Sequence, residues 1–371
     1  MRQAKMLHRD LEIQGYTLER TIRRPTHQYL RDYENHILRG QQVARAALEL
    51  KGRGFVPDVV IAHPGWGEAL FMADVFPNAR HIHHCEFYYE NQGADVGFDP
   101  EFPSDLDAAG RIRIKNSTQL QGLAYCDAGV SPTLWQKSRY PKEFRSKIQV
   151  IHEGVNTRII RPDSAATFST KDHTFRQGDE VVTYVARNLE PYRGFHAFMR
   201  SLPGLQRWRP AAHVLVVGGD EVSYGRHLPP GETYRERYSK ELGDRVDWSR
   251  VHFVGKLPYQ QYLKVLQVSA AHVYLTYPFV LSWSMLEAMA AGCVLVGSAT
   301  APVQEVIQDR DNGLLVDFFN PDDIAGQVAE VLANPRGFMK LRQAARESIV
   351  SDYDLHTRCL PKWVRLIQSA V

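Results

Sequence analysis

The sequence predicts an α/β protein with two doubly wound domains, each a mostly parallel sheet covered by helices on both faces. Its 371 residues exceed the length at which a single hydrophobic core usually stops growing. Short apolar segments alternate with helical ones almost throughout, which is the pattern of parallel sheets buried on both faces. Hydrophobic residues make up 44% and charged residues 23% of the chain, which is typical of globular domains and not of disordered ones.

The second half of the chain shows this alternation most clearly. Its predicted helices include Tyr259–Val268 and Pro302–Gln308. Ligands of doubly wound sheets bind outside the carboxyl ends of the strands, so the candidate positions are Arg187-Asn188, Gly218-Gly219 and the stretch Tyr277–Ser298. The predicted strands are Val181–Ala186, His213–Val217, Val251–Val254, Val273–Thr276, Val294–Gly297 and Leu314–Val316.

The first half has the same pattern in a less regular form. Helices are predicted near Tyr29–Leu50 and over Asp107–Leu123. Residues 1–50 contain neither the buried strand nor the glycine-rich turn that usually opens such a domain. We therefore expect the first domain to lack its opening strand, or the sequence to begin downstream of it. The predicted strands are Val59–Ala62, His81–His84, Ala128–Val130 and Ile148–Ile151.

Three parts are expected along the chain. Residues 1–163 form an incomplete N-terminal Rossmann-like domain, and residues 164–350 form a C-terminal one. Pro162–Gly178 is polar and lacks apolar periodicity, so it is expected to be the linker. Residues 351–371 have apolar side chains at helical spacing and are expected to form a helix that docks back on a domain.

Charge and composition exclude several classes of function. The net charge of +3 and the absence of a basic run with interleaved aromatics argue against a nucleic-acid partner. The first 55 residues carry a basic excess, which indicates either a solvated helix face or peripheral contact with an anionic membrane. Four cysteines without paired spacing predict buried thiols in a reducing compartment. No apolar run could span a bilayer, so a cytoplasmic location is expected, either free or peripheral at the inner membrane face.

The stretch Tyr277–Ser298 predicts a strand end, a loop, a short helix and another strand. Two interpretations of its polar residues remain open. Ser284 and Glu287 have the spacing of a capping box, in which each satisfies a backbone N–H at the helix start. Alternatively, the amides of Ser282, Trp283 and Ser284 form a phosphate pocket at the helix N-terminus, and Glu287 accepts hydrogen bonds from ribose hydroxyls.

The stretch Tyr184–Phe195 places Arg187 at a strand end and Arg193 after a proline-containing turn. Two guanidinium groups at one strand end suit a diphosphate, because each can make paired bonds to phosphoryl oxygens. The alternative is that both arginines lie on the surface and pair with Glu190.

The first domain contains further strand-end candidates. His63, Gly65, Trp66 and Gly67 form a turn that we expect to line a cleft, since glycines allow close backbone approach. The run from His81 to Glu86 contains zinc-type ligands, but alternate strand residues face opposite ways, so a metal site is not favoured. Asp105 and Asp107 have the spacing of a metal-binding pair but follow no strand, and no metal is predicted there either.

The run "ARNLEPYRGF…VVGG…VHFVGKLP…EAMAAGCVLVGS…NGLLVD" resembles the donor-binding half of the retaining glycosyltransferases of family 4, which have the GT-B fold of two Rossmann-like domains facing a cleft. The resemblance is specific over about Val181–Asn334 and weaker upstream. It implies that Arg187 and Arg193 contact a donor diphosphate, that Glu287 holds the donor ribose and that Ser282–Ser284 surround the diphosphate.

The same resemblance extends to further residues. It places the nucleobase at Gly255, Lys256 and Leu257, and a catalytic group facing the sugar at His84 or Glu86. The family pairs two glutamates with seven residues between them, and this sequence has Phe279 where the first is expected.

The implied activity is the transfer of a hexose-type sugar from a nucleoside-diphosphate sugar to a glycan, lipid or small-molecule acceptor, as in polysaccharide biosynthesis. Retention without a metal or cofactor is expected, with the arginines and the helix N-terminus in place of the metal. Two alternatives are a sugar-nucleotide epimerase or phosphorylase on the same fold, and a non-catalytic relative. The sequence names neither the acceptor nor an oligomeric state.

Overall fold

The computed structural model describes residues 12–18, 20–22 and 25–369 and groups them into two compact units. The first contains the described residues up to Ile151 together with the C-terminal segment from Trp363, and the second spans His152–Lys362. The expected boundary at residues 163/164 lies inside the second unit.

The first unit contains one sheet of four parallel strands that lie in chain order. All four predicted strands are present, and no strand precedes Val59 within the residues that are described. The strands are β1 (Val59–Ala62), β2 (Arg80–His84), β3 (Ala128–Ser131) and β4 (Ile148–Val150). The helices are α1 (Arg31–Gly52), α2 (Met72–Val75), α3 (Leu106–Lys115), α4 (Ser117–Tyr125) and α5 (Leu134–Arg139).

The predicted helix over Asp107–Leu123 is wrong in one respect, because the segment is divided into α3 and α4 at Asn116. The Asn116 side chain is buried and donates to the Tyr89 carbonyl at 2.7 Å, while its oxygen accepts from the Tyr89 N–H at 3.2 Å. This side-chain bonding to a neighbouring loop competes with an uninterrupted helix.

The C-terminal segment contributes to the core of the first unit. Leu366 is buried in a cluster with Ile82, Val130 and Ile151, and Trp363 packs against the same cluster. Part of the apolar face that the sequence predicts for this segment is thus removed from water, which favours docking of the helix, while Leu360 remains 46% exposed.

The second unit contains a sheet of six parallel strands in the order β12-β11-β10-β7-β8-β9, and a separate two-stranded hairpin. All six predicted strands are present. The strands are β5 (Thr167–Ser169), β6 (Thr174–Arg176), β7 (Val181–Asn188), β8 (His213–Gly219), β9 (Val251–Gly255), β10 (Ala271–Tyr274), β11 (Val294–Ser298) and β12 (Leu314–Val316). The helices are α6 (Phe195–Trp208), α7 (Tyr234–Leu242), α8 (Tyr259–Val268), α9 (Trp283–Ala290), α10 (Ala301–Gln304), α11 (Pro321–Ala333), α12 (Met339–Ser348) and α13 (Leu360–Gln368), the last of which ends in the first unit.

The segment predicted as a linker forms the antiparallel hairpin β5–β6 instead. Phe168 and Phe175 lie opposite each other in this hairpin and are 5% and 3% exposed. They pack in one cluster with Val181, Leu215 and Val265. Each short strand carries a single buried side chain between polar neighbours, so there is no apolar periodicity for the sequence to display.

The strand order of the second unit reverses between β7 and β10, which are neighbours in the sheet. A crevice forms outside the carboxyl ends of the strands at such a reversal, and it is the usual ligand position in this architecture. The turns after β7, β8, β9 and β10 all open at that edge. Among the residues described, no helix is long and apolar enough to cross a bilayer.

Candidate active site

The start of α9 is capped by Ser282, not by Ser284. The Ser282 hydroxyl accepts from the Ser284 N–H at 3.4 Å and from the Ser284 hydroxyl at 2.9 Å. The Ser282 N–H donates to the Tyr274 hydroxyl at 2.8 Å. Two of the three amides predicted to bind phosphate are therefore already engaged within the protein. The Trp283 N–H donates to no described residue, and its indole is exposed.

Glu287 lies one turn further along α9 and accepts hydrogen bonds from two tyrosines of α8. The Tyr259 hydroxyl donates to Oε1 at 2.9 Å and the Tyr262 hydroxyl to Oε2 at 2.6 Å. Burial raises the pKa of the Glu287 carboxyl, while the two hydroxyls act in the opposite direction. The capping-box interpretation of Glu287 is therefore wrong. The side chain is a half-buried acceptor held in place by α8.

Arg193 is 9% exposed and is held by the loop that follows β10. Its Nη1 donates to the Thr276 hydroxyl at 2.9 Å and to the Val280 carbonyl at 2.8 Å. The Tyr274 hydroxyl lies 3.4 Å from the same nitrogen, so the hydroxyl that accepts from Ser282 also contacts Arg193. No described residue accepts from Nε or Nη2 of this guanidinium. Arg193 and the start of α9 therefore belong to one hydrogen-bonded group.

Two aromatic rings, whose centroids are 5.0 Å apart, lie on one side of the Arg193 guanidinium. Its central carbon lies 5.5 Å from the Tyr224 ring centroid and 5.6 Å from that of Phe279, within cation–π range. Phe279 is 4% exposed and packs edge-on against Tyr224 and Tyr192. Phe279, which stands where the resemblance predicts a glutamate, therefore packs against the Arg193 guanidinium and restricts its position.

Glu190 does not pair with either arginine, so that alternative is wrong. Its carboxylate is 1% exposed and accepts from the backbone N–H groups of Ser223, Tyr224 and Gly225 at 2.8–3.0 Å. These bonds hold the segment that places the Tyr224 ring over Arg193. Sequence reasoning missed this role because backbone amides leave no signature in the sequence.

Arg187 lies near the end of β7, exposed, six residues before Arg193 in the sequence. In the part of the chain that the structure describes, no residue forms an ion pair or hydrogen bond with its guanidinium. Its full set of donors is available at the carboxyl edge of the sheet. The structure thus supplies one fixed and one free guanidinium at the β7 end.

Gly255, Lys256 and Leu257 form the turn between β9 and α8. Gly255 has a φ of 67°, in the left-handed region that favours glycine. The Lys256 ammonium pairs with Glu221, which follows β8, at 2.8 Å. Because this turn leads into the helix that carries Tyr259, the predicted base and ribose residues lie on consecutive elements.

In the first unit, His63 and Glu86 contact each other across neighbouring strand ends. The Gly65 N–H donates to His63 Nδ1 at 3.2 Å, which leaves the ring proton on Nε2, 3.2 Å from Glu86 Oε2. The two residues line a cavity of about 150 Å³ together with Gly65 and Trp66. His84 does not line this cavity, but its ring centroid lies 5.8 Å from that of His63.

Gly67 is required by the close approach of α1. Its φ is 97°, and a Cβ there would lie 2.2 Å from the His36 carbonyl oxygen. This glycine fixes the turn that presents His63 and Trp66 and does not itself line the cavity.

The run from His81 to Glu86 and the pair Asp105 and Asp107 are the remaining candidate metal ligands. Among the described residues, no group of three or more histidine, cysteine or acidic side chains is arranged to hold a metal. His83 is buried, and burial lowers its pKa to about 4. Asp105 caps α3 by accepting from the Ala108 N–H, and Asp107 accepts from the Tyr29 hydroxyl at 2.6 Å.

Two family models match consecutive stretches of the chain. "Glycosyl transferase family 4 group" matches residues 1–160, and "Glycosyl transferases group 1" matches residues 166–348. A GDP-mannose-dependent alpha-(1-6)-phosphatidylinositol monomannoside mannosyltransferase from Mycobacterium tuberculosis is 25% identical over 313 residues, which are 82% of this chain and 76% of that protein.

Solved structures with the same fold include two whose sequences are only distantly similar. Sucrose-phosphate synthase from Thermosynechococcus elongatus superposes with a TM-score of 0.70 at 17% identity, over 91% of this chain and 80% of that one. Anabaena HepE, crystallised with UDP-glucose, superposes with a TM-score of 0.62 at 14% identity, over 90% and 84%. Together with the two family matches, these structures identify the chain as a glycosyltransferase of family 4, group 1, with the GT-B fold.

Proposed function

We propose that this glycosyltransferase transfers a hexose-type sugar from a nucleoside-diphosphate sugar to an acceptor hydroxyl, with retention of configuration and without a metal. The observation that carries the proposal is the group formed by Arg193, Tyr274 and the start of α9. This group holds an arginine in place and leaves its Nε and Nη2 donors without a partner among the residues that the structure describes.

The chemistry of the leaving group explains why such an arrangement is useful. Cleavage of the bond between the anomeric carbon and the phosphate oxygen leaves negative charge on the diphosphate. Fixed positive groups lower the barrier because they need no reorganisation as that charge develops. Arg193 and the Trp283 N–H at the positive end of α9 are fixed in this way, and the exposed Arg187 adds a second cation. Together they supply the stabilisation for which other enzymes use a divalent cation.

The rest of the donor is assigned to neighbouring elements. Glu287 accepts from the ribose hydroxyls, since a carboxylate oxygen that already accepts one tyrosine hydroxyl keeps a second lone pair. Tyr259 and Tyr262 fix the direction in which those lone pairs point. The base lies against the turn from Gly255 to Leu257. The mannosyltransferase relative is named as GDP-mannose-dependent, and HepE was crystallised with UDP-glucose, which supports a nucleoside-diphosphate hexose as donor.

Acceptor binding is assigned to the first unit, at the cavity lined by His63 and Glu86. The Gly65 N–H holds the His63 ring, whose Nε2 lies 3.2 Å from Glu86 Oε2, so His63 orients the Glu86 carboxylate that we assign to the acceptor hydroxyl. In the proposed reaction the acceptor oxygen attacks the anomeric carbon on the face that the phosphate leaves. The departing phosphate oxygen takes the proton of the acceptor hydroxyl, so the reaction needs no nucleophile from the enzyme.

We also propose a cytoplasmic location with contact at the inner membrane face. The basic excess of the first 55 residues and the phosphatidylinositol monomannoside named for the mycobacterial relative support this. Cosedimentation with vesicles containing anionic lipid, but not with neutral vesicles, is the expected result; equal recovery from both would remove the proposal.

A transfer assay tests the function. The chain is incubated with UDP-, GDP- and ADP-hexoses in the presence and absence of a chelator, and release of nucleoside diphosphate is followed by coupled detection. We expect turnover with one nucleotide class, unchanged by chelation, and an anomeric proton of unchanged configuration by NMR. Arg187→Ala should abolish most of this turnover.

The matched control is Arg207→Ala, since Arg207 is an exposed arginine of α6 outside the site. Loss of turnover on chelation would contradict metal independence, and an inverted product would contradict retention. Equal loss in the two arginine variants would contradict the assignment of Arg187 to the diphosphate.

A further inference from the structure

Three polar side chains converge at Gly219, where the carboxyl ends of β7, β8 and β9 lie side by side. A Cβ built on Gly219 would lie 2.2 Å from Glu221 Oε2, 2.4 Å from Lys256 Cε and 2.8 Å from Asn188 Oδ1. Only glycine leaves room for this arrangement. The three groups therefore occupy one small space at the edge of the sheet where ligands bind.

The stability of the fold does not account for this convergence. Lys256 and Glu221 pair at 2.8 Å, but their side chains remain 54% and 67% exposed, and exposed pairs contribute little to stability. Asn188 is 6% exposed; its amide nitrogen donates to the Ser223 hydroxyl at 2.8 Å, while its Oδ1 is buried and accepts from no residue in the described part of the chain. A buried acceptor without a donor is costly, so Oδ1 indicates a ligand that brings an N–H or O–H to this point.

The pair of Lys256 and Glu221 presents one hydrogen-bond donor followed by two acceptors. The ammonium is a donor, and the two carboxylate oxygens beside it are acceptors. One edge of guanine offers the complement in the same order, with O6 as an acceptor and N1–H and the N2 amine as donors. Resting on the nucleotide donor proposed above, we propose that the base of the donor is guanine, read by Lys256 and Glu221, with Asn188 Oδ1 accepting from the same nucleoside.

Other bases match this order of donor and acceptors less well. Uracil offers an acceptor, a donor and then a second acceptor, which would face a carboxylate oxygen. Adenine offers a donor to the ammonium and an acceptor to the carboxylate, so both contacts are repulsive. A paired contact of this kind discriminates between bases by roughly ten- to a hundredfold, and repulsion against the wrong partner adds to the specificity.

Calorimetric titration of the intact chain with GDP, IDP, UDP and ADP tests the inference. IDP lacks only the N2 amine of guanine and needs no protein variant. We expect GDP to bind most tightly, IDP about tenfold more weakly, and UDP and ADP more weakly still. Glu221→Gln should bring the affinity for GDP down to about that for IDP.

The matched control is Glu241→Gln, which removes a carboxylate from another partly exposed ion pair, that with Arg200 at 2.7 Å, and should leave all four affinities unchanged. The inference is overturned if UDP or ADP binds most tightly, if GDP and IDP bind equally, or if Glu221→Gln has no effect. In those cases the proposed function stands. Failure of all four nucleotides to bind would contradict the proposed donor itself, and with it the inference.

Discussion

Replacing Arg187 and Arg193 separately by alanine should separate the two kinds of guanidinium at the β7 end. Both variants are expected to bind a nucleoside diphosphate more weakly, because each removes a cation from the diphosphate site. Only Arg193→Ala is expected to destabilise the fold as well. The reason is that Arg193 is bonded inside the second unit, whereas Arg187 makes no bond to a described residue.

The expected changes in the free energy of unfolding and in Kd follow from the contacts of the two arginines. Arg193 Nη1 makes two short charge-assisted bonds, to Thr276 and to the Val280 carbonyl, each worth about 1.5–3 kcal/mol. Arg193→Ala should therefore lower the free energy of unfolding by about 3–6 kcal/mol. Arg187→Ala should change it by about 0.5 kcal/mol or less, as at an exposed site without partners. Loss of either phosphate contact should raise the Kd for the diphosphate roughly ten- to a hundredfold.

Urea unfolding and calorimetric titration with a nucleoside diphosphate and the matching nucleoside are the assays. Affinity for the nucleoside should be retained in Arg187→Ala. The reasoning is refuted if Arg187→Ala is as unstable as Arg193→Ala, or if it weakens nucleoside and diphosphate binding equally.

Three further outcomes are expected. Glu287→Gln should leave the melting temperature nearly unchanged, because it removes a half-buried charge and keeps an acceptor for the α8 tyrosines. The affinity for the nucleotide-sugar donor should fall about tenfold. A large drop in melting temperature with unchanged affinity would show that Glu287 has only a structural role. Phe168→Ala should cost about 3–5 kcal/mol and Ser169→Ala, exposed on the same strand, about 0.5 kcal/mol or less; equal effects would contradict the hairpin core. Burial lowers the pKa of His83 to about 4 in the folded protein, so as the pH falls His83 is protonated first in the unfolded chain. The contribution of the neutral His83 to the free energy of unfolding is therefore complete above about pH 6.5. It is lost between that pH and about pH 4, by about 1.4 kcal/mol per pH unit. His83→Gln should flatten the urea-unfolding profile over this range, and an unchanged slope would contradict the neutral, buried imidazole.

The strands could be predicted because each is a short apolar run that ends at a polar or glycine residue, as Val181–Asn188 does. The hairpin β5–β6 could not, because Phe168 and Phe175 are single apolar residues whose burial depends on distant strands. The helix break at Asn116 depends on the loop around Tyr89, which local helical periodicity does not reveal.

The candidate site shows the same division between local and distant partners. Arg187, Arg193 and Glu287 could be selected from motifs, but what holds them could not. The serine–glutamate spacing at Ser284 suggested a capping box, and nothing near Glu287 in the sequence points to tyrosines on α8. The contact between His63 and Glu86 could have been predicted, because parallel pairing of β1 and β2 brings the ends of these two strands together.

A crystal structure of the chain with a bound nucleoside diphosphate tests the central claim most directly. We expect phosphoryl oxygens about 3 Å from Arg193 Nη2, from the Arg187 guanidinium and from the Trp283 N–H. A diphosphate bound elsewhere, with these three groups unoccupied, would contradict the proposed donor site and the mechanism built on it.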